Sequence, residues 1–162
     1  MAAGREILLT QLTQAFDRHS WHGTNLAGSI RGLTPAVAVW RPAPGRHNVW
    51  ELILHAAYWK YVVIRKLTGA ARGSFPLEGS NWFPRPAGAA TPAALAADIR
   101  LLRQTHRELL AAVEAFDLKA LDRRPPTGKA TYGGLIVGVA AHDLYHAGQI
   151  QLLKRLHADL AR

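Results

Sequence analysis

The stretch TYGGLIVGVAAHDLYHAGQIQLLKRLHADL, residues 131–160, decides how this chain is read. Its inward residues recur every three or four positions, at Leu135, Gly138, Val139, His142, His146, Gln149, Ile150 and Leu153. That period belongs to a helix and not to a strand, and Thr131 is placed to cap it. His142 and His146 are four residues apart, so they project from one face about one turn apart. Two imidazoles at that spacing can grip one ion.

Working outward, Asn48 followed three residues later by Glu51 reads as a capping box, and it opens a second strong helix over residues 48–68 that Gly69 stops. On it Leu52, His55, Trp59, Val62 and Val63 share a side, which places His55 within an otherwise apolar stripe. An earlier helix spans residues 5–19, with Ile7, Leu8, Leu12, Ala15 and Phe16 at helical spacing. After a Ser20-Trp21-His22-Gly23 break it resumes over 25–31 and ends at Gly32-Leu33-Thr34-Pro35 and the Pro-rich segment 41–45, with a loop or short helix filling the gap. Thr91-Pro92 starts a third long helix that runs to about residue 116, with Leu95, Ile99, Leu102, Leu109 and Val113 inward and Arg100, Arg103 and Arg107 on the other face. Residues 117–129 contain Pro125-Pro126 and Gly128 and cannot continue it. With no run of alternating short strands, the expectation is an all-α protein, a four-helix bundle forming a single domain over residues 1–162.

The long connection 69–91 is rich in Gly and Pro yet carries Phe75, Trp82 and Phe83, so it reads as an ordered loop that covers a site. Composition narrows the chemistry. The 162 residues are 49% hydrophobic, carry a net charge of +9 and include no cysteine. Disulfides, thiolate zinc sites and cysteine nucleophiles are therefore excluded, and any metal must rest on His, Asp or Glu. The opening residues lack the apolar core of a signal peptide, and no uncharged apolar run reaches the roughly 18 residues of a membrane span. The expected location is cytoplasmic, without membrane contact.

A third ligand beside His142 and His146 has to come from another helix, and His55 is the histidine on the apolar face of the second one. Each imidazole could instead be a hydrogen-bonded core or surface residue. The apolar setting favours the metal, because unpaired imidazoles pay a desolvation cost that a shared ion converts into a benefit. The sequence is not HExxH, since Asp143 follows His142, which disfavours standard zinc-peptidase chemistry. Three neutral imidazoles leave the charge of a divalent cation unneutralised and a position open, as in catalytic sites. Water there is acidified toward a pKa of about 7, and a thiol is equally favoured as thiolate.

The segments Trp50-Glu51-Leu52-Ile53-Leu54-His55 and Ala141-His142-Asp143-Leu144-Tyr145-His146-Ala147-Gly148-Gln149-Ile150 resemble the DinB/YfiT superfamily of metalloenzymes, most specifically in the HxxxHxGQ pattern. The resemblance spans essentially the whole chain. It implies a DinB-type four-helix bundle with a three-histidine metal site, on whose positions His55, His142 and His146 fall. It further implies a metal-dependent hydrolase or a transferase that uses a low-molecular-weight thiol, a small-molecule substrate and a homodimer. Zinc or nickel are the nominal metals, with iron or manganese also compatible with histidine ligands. The other reading is a metal-binding or stress-related bundle without turnover.

Tyr58, Trp59, Trp82, Tyr145 and Gln149 are the expected pocket or ligand-orienting residues. Trp59 is the one for which plain core packing is favoured. Gln149 is the most suggestive, because a buried amide needs partners. Glu51 could act as a general base but is already explained by the capping box, Trp82 either closes over the site or packs on the bundle as an exposed aromatic, and Asp143, turned about 100° from His142, is expected to pair with an arginine at the surface. His19 and His22 straddle the helix break and could approach the site, though surface or helix-end roles are favoured for them, whereas His47, His106 and His157 have no apolar-face argument. Nucleic-acid binding is not expected, since no recognition motif accompanies the positive charge.

Overall fold

The computed structural model describes residues 2–85 and 87–160. Six α-helices are formed by the described residues: α1 Ala2–Phe16, α2 Leu26–Ser29, α3 Pro35–Val39, α4 Val49–Thr68, α5 Pro92–Ala115 and α6 Tyr132–Asp159, with single 3₁₀ turns at Ala87–Ala89 and Leu118–Ala120. No strand occurs among the described residues. The helix starts are local decisions. Side-chain oxygens of Asn25, Thr34, Asn48, Thr91 and Thr131 each accept a backbone N–H of the first turn that follows. At the far end of α4, Gly69 takes the left-handed conformation, φ 73°, that closes a helix and that glycine adopts without a Cβ penalty.

The four long helices enclose two apolar clusters, one at each end of the bundle. One is built from Phe16, the first half of α4 (Val49 to Ala57), Leu95 and Leu102 of α5, and Ala147, Ile150 and Leu153 of α6. The other takes Leu12 and Ala15 of α1, Val63 of α4, Leu109 and Val113 of α5, and Ile136, Val139 and Ala140 of α6. Read along each helix, these memberships give the topology: α1 up, α4 and α5 down, α6 up. Because α4 and α5 are parallel neighbours, the chain between them has to return the length of the bundle, and residues 69–91 are that crossover. A 20-residue helix is about 30 Å long, which is why this connection is long.

Between the clusters lies a polar layer at the middle of α4, α5 and α6: His55 and Lys60 of α4, Thr105 and His106 of α5, Asp143 and His146 of α6, all buried, with His142 half-buried. Lys60 is fully buried and its ammonium donates to the Asp143 carboxylate, tying α4 to α6, while the Phe16 ring lies 5.2 Å from the same nitrogen. Burial pulls the Lys60 ammonium down and the Asp143 carboxyl up, and each is opposed by the other's charge.

Several expectations are corrected. α1 ends at Phe16 and not at residue 19, because the amides of Asp17 and Arg18 both turn back onto the Thr13 carbonyl. Ile7 is 63% exposed and lies outside its inward stripe. The expected helical segment at 25–31 is the short α2, and the gap after it does hold a short helix, α3. On α6, Gly138 is exposed and Leu135 only half-buried, while Ile136, Ala140, Asp143 and Ala147 are buried. The buried arc is wide because α6 packs against α1, α2 and α4. Asp143 is therefore no surface partner of an arginine. No helix among the described residues is long and apolar enough to cross a membrane.

Candidate metal centre

α4 and α6 run antiparallel and face each other in the polar layer, and this brings His55 onto the His142 and His146 pair. The Nε2 atoms of His55 and His146 each lie 3.0 Å from Nε2 of His142, and one ligand atom from each residue falls within 4.8 Å of the others. The opposite ring nitrogens explain the orientation. Nδ1 of His55 donates to the Asn81 carbonyl at 2.8 Å, and Nδ1 of His146 donates to Oε1 of Gln149 at 2.7 Å. With those protons on Nδ1, both rings turn an Nε2 lone pair inward, the arrangement by which outer hydrogen bonds orient metal-binding histidines. Nδ1 of His142 is buried with no partner among the described residues.

The electrostatics agree. Desolvation, reinforced by its two neighbours, holds His142 down to about 3, and desolvation holds His146 to about 4. His55 is lowered mainly by burial as well. At neutral pH the cluster is thus three neutral imidazoles, with at least two lone pairs aimed at one small volume. A proton on Nε2 of His142 can be given to one of the two facing lone pairs but not fully to both, whereas a divalent cation takes all three nitrogens. The residues fit a metal.

The crossover delivers the rest of the site. Asn81 is the non-glycine residue with positive φ, 66°, among those described, a conformation asparagine tolerates better than most residues. That bend lets its carbonyl reach His55 while its side-chain oxygen accepts Nε1–H of Trp59 at 2.9 Å. Trp82 follows, and its indole is stacked between the rings of His55 and His47, at centroid distances of 3.9 and 3.5 Å. Arg85 pairs through two nitrogens with Asp98 of α5, which also accepts Nε1–H of the buried Trp50, so the loop is anchored to the bundle beside the site.

Of the expected pocket residues, Trp82, Tyr145 and Gln149 surround the cluster. Trp59 does so too, edge-on to His55 and His142, and its 38% exposure overturns the core-packing reading: Asn81 holds it at the rim. Tyr58 instead packs with Phe75, Phe83 and Tyr61 under the crossover. His19 and His22 do not approach the site. His47, passed over in the sequence, does. Its Nδ1 lies 2.9 Å from the buried Glu51 carboxylate, which Arg41 also grips. Burial pushes the Glu51 carboxyl up, but Arg41, His47 and the Asn48 amide outweigh it and hold the carboxyl below its ordinary range. The available signal was the spacing of His47 and Glu51, four apart across a helix start.

A cleft of about 560 Å³ opens beside the cluster, lined by His146, Gln149 and Tyr145, by His47, Arg46 and Trp82, and by Leu52, Leu152 and Leu153. A profile of the DinB superfamily matches residues 18–150, a span that holds all three histidines. The chain belongs to the DinB superfamily. No curated protein and no solved structure matches the chain. Within this superfamily, a helical bundle with a histidine cluster compatible with metal binding is what the chain presents.

Proposed function

We propose that this DinB-superfamily protein is a metal-dependent enzyme that activates a small nucleophile, as a hydrolase when that nucleophile is water and as a transferase when it is a low-molecular-weight thiol. The observation that carries the reading is the cleft that reaches His146: a cluster sealed by protein side chains would suit a structural or storage role, and this one is accessible from a concave, largely apolar space. His55, His142 and His146 hold the cation, with zinc or nickel the leading candidates. When bound, it supplies the positive charge that makes a water or thiol acidic at neutral pH.

The chain's own groups supply the rest. His47 is a positioning residue: held on Glu51, it stacks on Trp82 and so fixes the indole that packs on His55. Its ring lies in the wall of the cleft. The indole lies between this ring and the histidine cluster, so the proton that leaves the nucleophile passes to solvent in the cleft and not to His47. Leu52, Leu153 and the Trp82 edge exclude water around the substrate, while Arg46 and the Tyr145 hydroxyl offer polar anchors.

A homodimer completes the proposal. The outer face of α6 exposes Val137, Ala141, Tyr145, Gly148, Leu152 and Leu156, and carries no charge between Gly134 and Leu152. A chain with net charge +9 brings two copies together best where charge is absent. Tyr145 and Leu152 belong to both this face and the cleft, so a second copy would wall the cleft's mouth.

The test is turnover of zinc- or nickel-loaded protein on electrophilic esters, amides and epoxides, with and without added thiols. The reading predicts activity that His146→Ala abolishes and that His47→Ala, which unseats Trp82, lowers by about tenfold. Activity unchanged in both variants, or none in the loaded protein under either condition, would contradict it.

A further inference from the structure

A second and larger cleft, of about 1020 Å³, lies where the end of α1, the turn after it, α2 and the middle of α5 meet. None of the three clustered histidines lines it. Its floor is apolar, from Phe16, Ile30, Leu33 and Ile99, and its rim carries Arg18, Arg31, Arg103 and Arg107 against the single carboxylate of Asp17. All four guanidinium groups are on exposed residues, and none has an ion-pair partner among the described residues. By helical spacing Arg103 and Arg107 fall with Arg100 on a face of the kind that is usually solvated, with an anionic substrate or phosphate the other reading of Arg103 and Arg107. The fold sets them instead over a concavity, where low-dielectric walls focus their field.

His106 supplies the second observation. It forms part of the cleft wall, is 2% exposed, and stacks on Phe16 with centroids 3.8 Å apart. Neither of its ring nitrogens has a hydrogen-bond partner among the described residues. Buried polar groups are almost always paired, so a wall histidine with both nitrogens unpaired points to a missing group. Burial, with Lys60 and Arg107 nearby, holds its pKa to about 3, which leaves a neutral ring with one N–H to give and one lone pair to accept.

We propose that this cleft binds a phosphorylated small molecule with an apolar or aromatic body. The phosphate is held among Arg18, Arg31, Arg103 and Arg107, the body rests on the Phe16 floor, and the buried His106 ring turns to give it a polar contact at the wall. Phosphate is favoured over carboxylate because four unpaired guanidinium forks offer more charge and more donors than one carboxylate can use. The volume is that of a small-molecule site and far exceeds what an inorganic ion fills. This site is separate from the metal centre. The buried Lys60 and Asp143 pair stands between them, with Lys60 over Phe16 on one side and Asp143 next to His142 on the other.

The experiment is calorimetric titration of the protein at low salt with phenyl phosphate, inorganic phosphate and benzoate, with histidine ring resonances followed by NMR. Phenyl phosphate should bind at least about tenfold more tightly than either other probe, and should shift the His106 signals. The Arg103→Ala/Arg107→Ala double variant, which removes exposed and unpaired side chains and should melt like wild type, should weaken binding by about tenfold or more. His106→Phe, which keeps the stack and removes the nitrogens, should weaken it as well, while His146→Ala should leave it unchanged. Failure of phenyl phosphate to bind, equal affinity in the double variant, equal binding of benzoate, or loss in His146→Ala would each overturn the proposal.

Discussion

Lys60 has no exposed surface, so its charge is tolerated only because Asp143, equally buried, answers it. Removing one partner strands the other, which costs about 3 to 5 kcal/mol, whereas replacing both by apolar residues of similar volume is far less destructive. Lys60→Met and Asp143→Leu should therefore each be strongly destabilising in urea titrations, and the double variant should be more stable than their sum implies. His106 gives a prediction of a different kind. Its folded pKa of about 3 lies below its ordinary value of 6.5, so as pH falls below about 6.5 the unfolded chain takes up a proton that the folded chain refuses. Its contribution to stability is intact above that pH and is lost progressively toward pH 3. His142 and His146, held to about 3 and 4, act with the same sign in metal-free protein. Melting temperature should fall on acidification, and His106→Phe should flatten the fall. None of Lys60, Asp143 or His106 was legible as a buried group in the sequence. A charged side chain defaults to the surface, and the partner that overrides the default stands 83 residues away.

At the scale of elements, what the sequence made plain was whatever is decided within one turn. Asn48, Thr91 and Thr131 cap as their residue types require, and Gly69 ends α4. Asn48→Ala should lower stability by about 1 kcal/mol in equilibrium unfolding, and should loosen Glu51, whose amide the Asn48 side chain accepts. The three histidines were legible for the same reason, since helical spacing and an apolar stripe place them before any tertiary contact is known. The crossover was not. That residues 69–91 cover a site followed from their aromatics, but that Asn81 would bend to place a carbonyl on His55, and that Trp82 would stack between two imidazoles, depends on parallel packing of α4 and α5. His47 was missed likewise, because it precedes the helix and joins the site only through Glu51 and the Trp82 stack.

At the scale of the molecule, two apolar clusters clamp a polar layer that reaches the histidine cluster's cleft through His146 and the arginine-rimmed cleft through His106. The uncharged outer face of α6 is unusual for a helix turned to solvent. If a second copy covers it, Leu152→Glu combined with Leu156→Glu should convert a dimer to a monomer in sedimentation analysis without unfolding it; a wild type that sediments as a monomer would refute the interface. The central claim is that His55, His142 and His146 hold a metal. The most direct measurement is elemental analysis of tag-free protein after equilibration with zinc or nickel, for the wild type, His55→Ala and His146→Ala, with thermal melting of each. The account predicts about one equivalent per chain in the wild type and a loss of metal in both variants while the fold persists. Negligible metal in the wild type, or metal content unchanged in the two variants, would contradict it and return the three histidines to a structural role.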